Sequence, residues 1–173
     1  MTKISLDDYR VAIENLAATS SDFVFANSGA EHACIVMSNI FKTAKGNVNI
    51  FAKNLKGDVS KGEYLIQMEN YLKTPTGNLK VVLEELIQDG ASEAIKLMQK
   101  YAHKVSVYVM NPDYLSSRTQ INHFTLADDK MFRYETDTVA YTAVCSFNDT
   151  KTCSQLNNLY SLYLDNSTKI PKI

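Results

Sequence analysis

The sequence predicts an α/β fold with a mixed, mostly parallel sheet flanked by helices. Strand-like and helix-like segments alternate three times before Pro112, which implies right-handed crossovers between parallel strands. After Pro112 three strand-like runs follow one another through short connections, and consecutive strands joined in this way are antiparallel. The chain has 173 residues, of which 45% are hydrophobic and 21% charged, so we expect one domain over residues 1–173 with a core at about 23–165.

The N-terminal segments set up this alternation. Residues 5–17 predict an amphipathic helix, because Ser5 and Asp8 supply a cap and apolar residues recur at spacings of three and four. Residues 22–27 fit either a strand or the entry to the next helix, and we favour the strand. Residues 28–31 have the pattern of a capping box and begin an apolar helical stripe, and residues 48–52 then predict a strand.

The same order continues through the rest of the chain. Residues 60–63 form a second capping-box pattern before a helix, a turn is expected at Asp89-Gly90, and a helix is expected to begin near Ser92. Asp149 is expected to cap the last helix, and residues 169–173 to fray. Strands are predicted at residues 79–84, 105–110, 121–127, 131–135 and 139–147.

Composition excludes several classes of function. A formal net charge of −1 gives no general attraction to nucleic acid, so a nucleic-acid partner stays open without being indicated. No apolar run approaches the ~18 residues of a membrane-spanning helix, so no membrane association is expected. Three cysteines without a close pair, and no signal-peptide pattern before Ser5, favour the cytoplasm. Three histidines without metal-ligand spacing, and the lack of glycine-rich nucleotide loops, predict neither a metal nor a cofactor.

Polar chemistry at strand spacing is concentrated between residues 121 and 148. Because successive side chains of a strand point to opposite faces, residues two apart share a face. Three such pairs make up the candidate ligand-binding site: His123 with Thr125, Arg133 with Glu135, and Ser146 with Asn148.

These residues, in this order, resemble one half of the phospholipase D superfamily over about residues 23–165. In that family a His-x-Lys strand, a following Asp and a Gly-Ser-x-Asn strand form the phosphate pocket. His123 matches the histidine, and residues 145–148 match the second motif with Cys145 in the place of glycine. Thr125 stands where the family has lysine.

The family's Asp has no clear counterpart in this chain. Asp128 and Asp129 fall one or two residues early, and Lys130 occupies the expected place. The two aspartates are instead placed to form the tight turn between two strands, and either could take the family residue's role.

The resemblance implies two alternative functions. If the chain is an enzyme, His123 is the catalytic nucleophile of a phosphodiesterase or nuclease, and two chains share the site in a homodimer. A phosphoryl-transfer site needs a fixed cation, however, and Thr125 offers only a hydroxyl. We therefore favour a non-catalytic binding or assembly module that recognises a phosphate-bearing ligand or a protein partner. In both cases we expect a homodimer with residues 121–127 near its two-fold interface.

Each candidate residue also has a purely structural interpretation. His123 could be a hydrogen-bonded histidine on a half-buried strand, Arg133 and Glu135 a structural ion pair, and Ser146 and Asn148 the end of a strand before a helix. His32 and His103 are expected at helix boundaries or on the surface. Three lysines around residues 54–60 are expected to be solvated, with anion binding as the alternative: Lys53, Lys56 and Lys61.

Overall fold

The computed structural model describes residues 4–57, 60–86 and 92–171. The described residues form six helices and eight strands. In chain order these are α1 (Leu6–Ala18), β1 (Phe25–Asn27), α2 (Ala30–Thr43), β2 (Asn47–Ala52), α3 (Glu63–Lys73), β3 (Asn78–Leu83), α4 (Glu93–Lys100), β4 (Val105–Met110), α5 (Pro112–Ser116), β5 (Phe124–Ala127), β6 (Met131–Asp137), β7 (Thr142–Ser146), α6 (Thr150–Asp165) and β8 (Ser167–Lys169).

All eight strands belong to one mixed sheet, in the order β1-β7-β6-β5-β2-β3-β4-β8. The prediction of a mixed sheet flanked by helices is confirmed, but its parallel part is smaller than expected. Only β2 with β3 and β3 with β4 pair in parallel, and the other five pairings are antiparallel. The reason is that the short turns after β5 and β6 build an antiparallel meander beside β2.

Helices cover both faces of the sheet. Helices α1 to α4 pack on one face, over strand residues such as Ile50, Val81 and Cys145. Helix α6 covers the opposite face, where Tyr160 and Tyr163 pack against Phe51 and Phe124. None of the helices in the described part of the chain is long and apolar enough to cross a membrane.

Helix starts follow the sequence prediction at three places and depart from it at two. The side chains of Ser5, Ser92 and Asp149 each accept a first-turn amide hydrogen bond, as predicted. The two capping boxes at residues 28–31 and 60–63 do not form. Gly29 and Gly62 are the N-cap residues instead, with φ of 88° and 55° and no side-chain cap, since each helix is entered through a backbone conformation that favours glycine.

Strand bounds also differ from the prediction after Pro112. A short helix, α5, begins at Pro112 and was not predicted. Strand β5 begins only at Phe124, so residues 121–123 lead into it. The tail was wrongly expected to fray from residue 169, because Lys169 pairs with Tyr108 on β4 and the Ile170 amide donates to the Val107 carbonyl. The predicted turn at residues 89–90 lies outside the described residues.

Candidate functional site

The predicted site lies where the carboxyl ends of β2 and β3 meet the start of β5. Phe51 on β2 pairs with Phe124 on β5, which places His123 at this end of the sheet. Glu84 directly follows β3, and the Glu135 amide donates to the His123 carbonyl at 2.8 Å. Carboxyl ends of parallel strands are the usual place for ligand sites in α/β proteins.

His123 is held between two carboxylates. Its Nδ1 lies 3.2 Å from Glu135 Oε2, and its Nε2 lies 2.6 Å from Glu84 Oε1. The ring meets Phe51 edge-on, with 5.6 Å between centroids, and only 16% of the side chain is exposed. Both imidazole nitrogens are therefore already engaged, one by each carboxylate.

This arrangement favours the charged form of the histidine. Burial alone would lower the pKa of His123, but the hydrogen bonds and charges of Glu135 and Glu84 outweigh it and raise that pKa to about 9. Burial likewise opposes ionisation of Glu135, yet the hydrogen bond to His123 and the Arg133 charge lower its pKa. At neutral pH the site therefore contains an imidazolium between two carboxylates.

Arg133 completes the cluster from the same face of β6. Its Nη1 donates to Glu135 Oε1 at 2.6 Å, its Nε to Asn27 Oδ1 at 3.0 Å and its Nη2 to the Tyr141 carbonyl at 3.4 Å. Arg133 is 5% exposed and Glu135 7% exposed, so the pair is nearly removed from water. The structural interpretation of this pair, as an internal ion pair, agrees with the geometry.

Four of the six predicted site residues line one pocket of about 320 Å³: His123, Thr125, Arg133 and Glu135. Thr125 is directly opposite Arg133 on the neighbouring strand. The catalytic and ligand-binding roles predicted for these residues stay predictions.

Ser146 and Asn148 do not join this pocket, so their predicted convergence with His123 is wrong. Ser146 pairs with Phe132, whereas its neighbour Cys145 pairs with Arg133, and this register turns Ser146 to the opposite face of the sheet. The Ser146 hydroxyl accepts a hydrogen bond from the Asn148 amide at 3.3 Å. The physical reason is the register between β6 and β7, which places Cys145 instead of Ser146 on the face that carries Arg133 and Thr125.

The two aspartates of the β5–β6 turn lie at the other end of β5 from His123. Asp128 and Asp129 have φ of 54° and 55°, as a type I′ turn requires. The Asp128 carboxylate accepts hydrogen bonds from the Lys45 and Gly46 amides, both at 2.7 Å. Asp129 accepts one from the Asn157 side chain at 2.8 Å. Both aspartates therefore hold the scaffold together.

Sequence reasoning missed Glu84, Asn27 and Tyr141 as members of the site. Glu84 had one usable signal, because a polar residue at the carboxyl end of a predicted parallel strand is a candidate by topology alone. Asn27 and Tyr141 gave none, since their contacts with Arg133 depend on β1 pairing with β7. Within residues 4–57, 60–86 and 92–171, no group of three His, Cys, Asp or Glu side chains is arranged to hold a metal ion.

Neither a protein-family model nor a curated protein sequence matches the chain. Solved structures do match. NucT from Helicobacter pylori aligns with a TM-score of 0.63 at 11% identity, over 86% of this chain and 99% of that chain. Nuc from Salmonella typhimurium, a phospholipase D family member, aligns with a TM-score of 0.58 at 10% identity and the same coverage.

A third match is the archaeal chromatin protein TrmBL2, for which a novel mode of DNA binding is described. Its TM-score is 0.58 at 10% identity, over 85% of this chain and 53% of that one, so the present chain spans about half of TrmBL2. At such low identity these likenesses establish architecture and leave activity open. Together with the mixed sheet and its flanking helices, they show that this chain has the fold of the phospholipase D family.

Proposed function

We propose that this domain is a non-catalytic, phospholipase D-like binding or assembly module. The observation that carries the proposal is the double engagement of His123 by Glu84 and Glu135. A nucleophilic histidine attacks through an unprotonated ring nitrogen, and an imidazolium has none to offer. Freeing one nitrogen would separate a buried charge from its partner, which is costly.

The surrounding charges also oppose phosphoryl transfer. The negative charge that develops on a phosphoryl group needs a preorganised cation, but Arg133 is already bound to Glu135, and Thr125 carries no charge. Glu84 and Glu135 would repel an anion placed against His123. These features support a domain that has this fold but does not catalyse phosphoryl transfer.

The proposal includes a phosphate-bearing ligand or a protein partner, and a cytoplasmic location. Cys34, Cys145 and Cys153 are all free thiols, which fits a reducing compartment. A nucleic-acid partner is the weaker candidate, because the net charge is −1 and the DNA binding described for TrmBL2 belongs to a protein that is 10% identical.

The alternative is a phosphodiesterase that shares its site in a homodimer, and the likeness to Nuc favours it. An interface near residues 121–127 stays a prediction. Strand β5 lies between β2 and β6 and its four residues are buried, so it cannot itself form a two-fold contact. A shared site would have to close over the mouth of the pocket, near the exposed Val139.

Hydrolysis of bis-p-nitrophenyl phosphate in the presence of EDTA separates the two functions. We expect wild type to show no more turnover than His123→Ala, with His103→Ala as the control histidine variant. Turnover that resists EDTA, disappears in His123→Ala and persists in His103→Ala would establish the phosphodiesterase instead. Light scattering of the same samples at micromolar concentration tests the homodimer.

A further inference from the structure

The β1 edge of the sheet lacks the protection that the β8 edge has. These two strands end the sheet, and each has three residues. An edge strand exposes unpaired backbone amides and carbonyls, and proteins usually guard it against further pairing with lysine or proline. Lys169 is the last residue of β8 and Pro171 follows it closely, whereas the segment from Asp22 to Asn27 contains neither residue type. The backbone of β1 is therefore open to a further strand.

Large apolar side chains are exposed where the chain enters β1. Phe23 is 61% exposed and Val24 is 50% exposed, and Ala26 is exposed within the strand itself. Because side chains alternate along an extended segment, Val24 and Ala26 share the face that α6 covers. Phe23 shares the opposite face with Phe25, which packs against the core under α1 to α4. Val24 also borders a cavity of about 280 Å³ that has three apolar side chains in its wall: Phe132, Val144 and Leu156. Exposed apolar groups on both faces of an unprotected edge mark an interaction surface.

A second copy of this chain supplies a strand that matches this edge. When two copies pair antiparallel with Val24 on the two-fold axis, Phe23 of each copy lies opposite Phe25 of the other, and the two Val24 side chains meet on the α6 face. Asp22 is the only charged residue in the paired segment, and it lies opposite Ala26 of the other copy. The two Asp22 carboxylates are then about 14 Å apart along the strands. That distance exceeds the Debye length of about 8 Å at physiological ionic strength, so their repulsion is screened.

The size of this contact is sufficient for a weak dimer. The paired segment, residues 22–27, spans about 20 Å when extended, and the sheet with one layer of helices is about 25 Å thick. The edge therefore offers about 500 Å² on each copy, or about 1,000 Å² in total, which is the lower limit for a specific interface. We expect association in the micromolar range.

We infer that two copies of this chain associate through β1, antiparallel and in register about Val24, so that their two sheets become one continuous sheet. The inference rests on the assembly role in the proposed function, and it identifies the partner as a second copy. None of the residues that line the His123 pocket belongs to this segment, so a dimer formed here neither needs nor completes a shared active site.

Sedimentation velocity across the micromolar range tests the association. We expect wild type to convert from monomer to dimer as its concentration rises, and Val24→Lys to weaken the dimer about 10-fold or more, because two lysines would meet at the axis. The matched control is Val11→Lys, since Val11 is 58% exposed on α1. Val139→Lys alters the mouth of the pocket, where a shared site would close, and should also leave the association unchanged. Circular dichroism confirms that each variant is folded.

Disulfide cross-linking tests the register of the pairing. Residues that lie directly opposite in an antiparallel pair have Cα atoms about 4.5–5.5 Å apart, which is within reach of a disulfide. Val24→Cys should therefore give a disulfide-linked dimer when treated with oxidised glutathione. Ala26→Cys is the control on the same face, because its two introduced thiols would be about 14 Å apart. Wild type gives the background from the three native thiols.

The inference is overturned if wild type remains a monomer across this range, if Val24→Lys associates as tightly as Val11→Lys, or if Val24→Cys cross-links no faster than Ala26→Cys. A dimer that Val139→Lys disrupts and Val24→Lys does not would belong to the shared-site alternative and would equally refute pairing through β1. Failure of the proposed function has a separate readout. In that case bis-p-nitrophenyl phosphate is hydrolysed in the presence of EDTA and His123→Ala abolishes the hydrolysis, whichever variants associate.

Discussion

The charge on His123 should make the stability of this protein depend on pH in the neutral to alkaline range. The folded-state pKa of His123 is about 9, against an ordinary value of 6.5. A group whose pKa is raised by folding stabilises the folded state fully below its unfolded pKa, and this contribution is lost as pH rises through the folded pKa. The free energy of unfolding is therefore expected to fall between about pH 6.5 and pH 9.

The expected size follows from the same values. At about 1.4 kcal/mol per pKa unit, a rise from 6.5 to about 9 corresponds to about 3 kcal/mol. That is a large share of the 5–15 kcal/mol that is typical for a whole domain. His123→Gln keeps a hydrogen-bonding side chain but cannot become charged, so its stability should vary less with pH over this interval.

Urea unfolding followed by far-ultraviolet circular dichroism is the suitable measurement, because the chain contains no tryptophan. The difference between wild type and His123→Gln at each pH removes the contribution of other titrating groups. His103→Gln, at an exposed position, is the control and should follow wild type. A wild-type curve parallel to that of His123→Gln, or one that rises over this interval, would show that the imidazolium between the two carboxylates does not stabilise the fold.

Three further changes in unfolding free energy can be measured by the same method. Asp128→Ala should cost about 2 kcal/mol, because two amides lose their acceptor and alanine fits a φ of 54° poorly, while Asp128→Asn should cost less. Tyr64→Phe should leave the unfolding free energy unchanged or raise it by up to about 1 kcal/mol, because the Tyr64 hydroxyl has no hydrogen-bond partner among the described residues. The Tyr71 hydroxyl accepts a hydrogen bond from the Asn78 amide, so Tyr71→Phe should lower the unfolding free energy by about 1 kcal/mol. Equal losses in the two variants would contradict this. Thr125→Lys should lower the unfolding free energy by about 3 kcal/mol, because it buries a second cation opposite Arg133, and should give no phosphodiesterase activity. An unchanged stability would refute this prediction.

The fold was largely predictable because its main signals are local. Apolar stripes and strand-length runs place α2, α3, β2, β3 and β4 within a few residues of their observed bounds. The pairing between strands was harder to predict from the sequence. Short turns predict antiparallel neighbours, but no local pattern indicates that β5 inserts beside β2 or that β8 returns to β4. The share of parallel pairing was overestimated for that reason.

The site was predictable only where the alternation of side chains along a single strand decides which face of the sheet a residue occupies. Arg133 and Glu135 were correctly paired because they lie two apart on β6. The placement of Ser146 depends on register between strands, and one residue of difference moves a side chain to the other face. Glu84 is 39 residues from His123 along the chain, and their contact arises only from the order of strands in the sheet.

Thr125 and the ion pairs around His123 belong to one arrangement of charges. Arg133 stands directly across the ladder from Thr125, so a buried cation is present close to where the family pattern has one. Its charge is directed to Glu135, whose other oxygen bonds to His123, which in turn bonds to Glu84. Positive and negative groups alternate along this series of ion pairs, and each of its cations already has an anion beside it. An anion that bonds to either ring nitrogen of His123 would have to displace Glu84 or Glu135. A lysine introduced at position 125 would therefore add an unpaired buried charge and leave the histidine protonated. Such a change, without changes at both carboxylates, is not expected to make His123 a nucleophile.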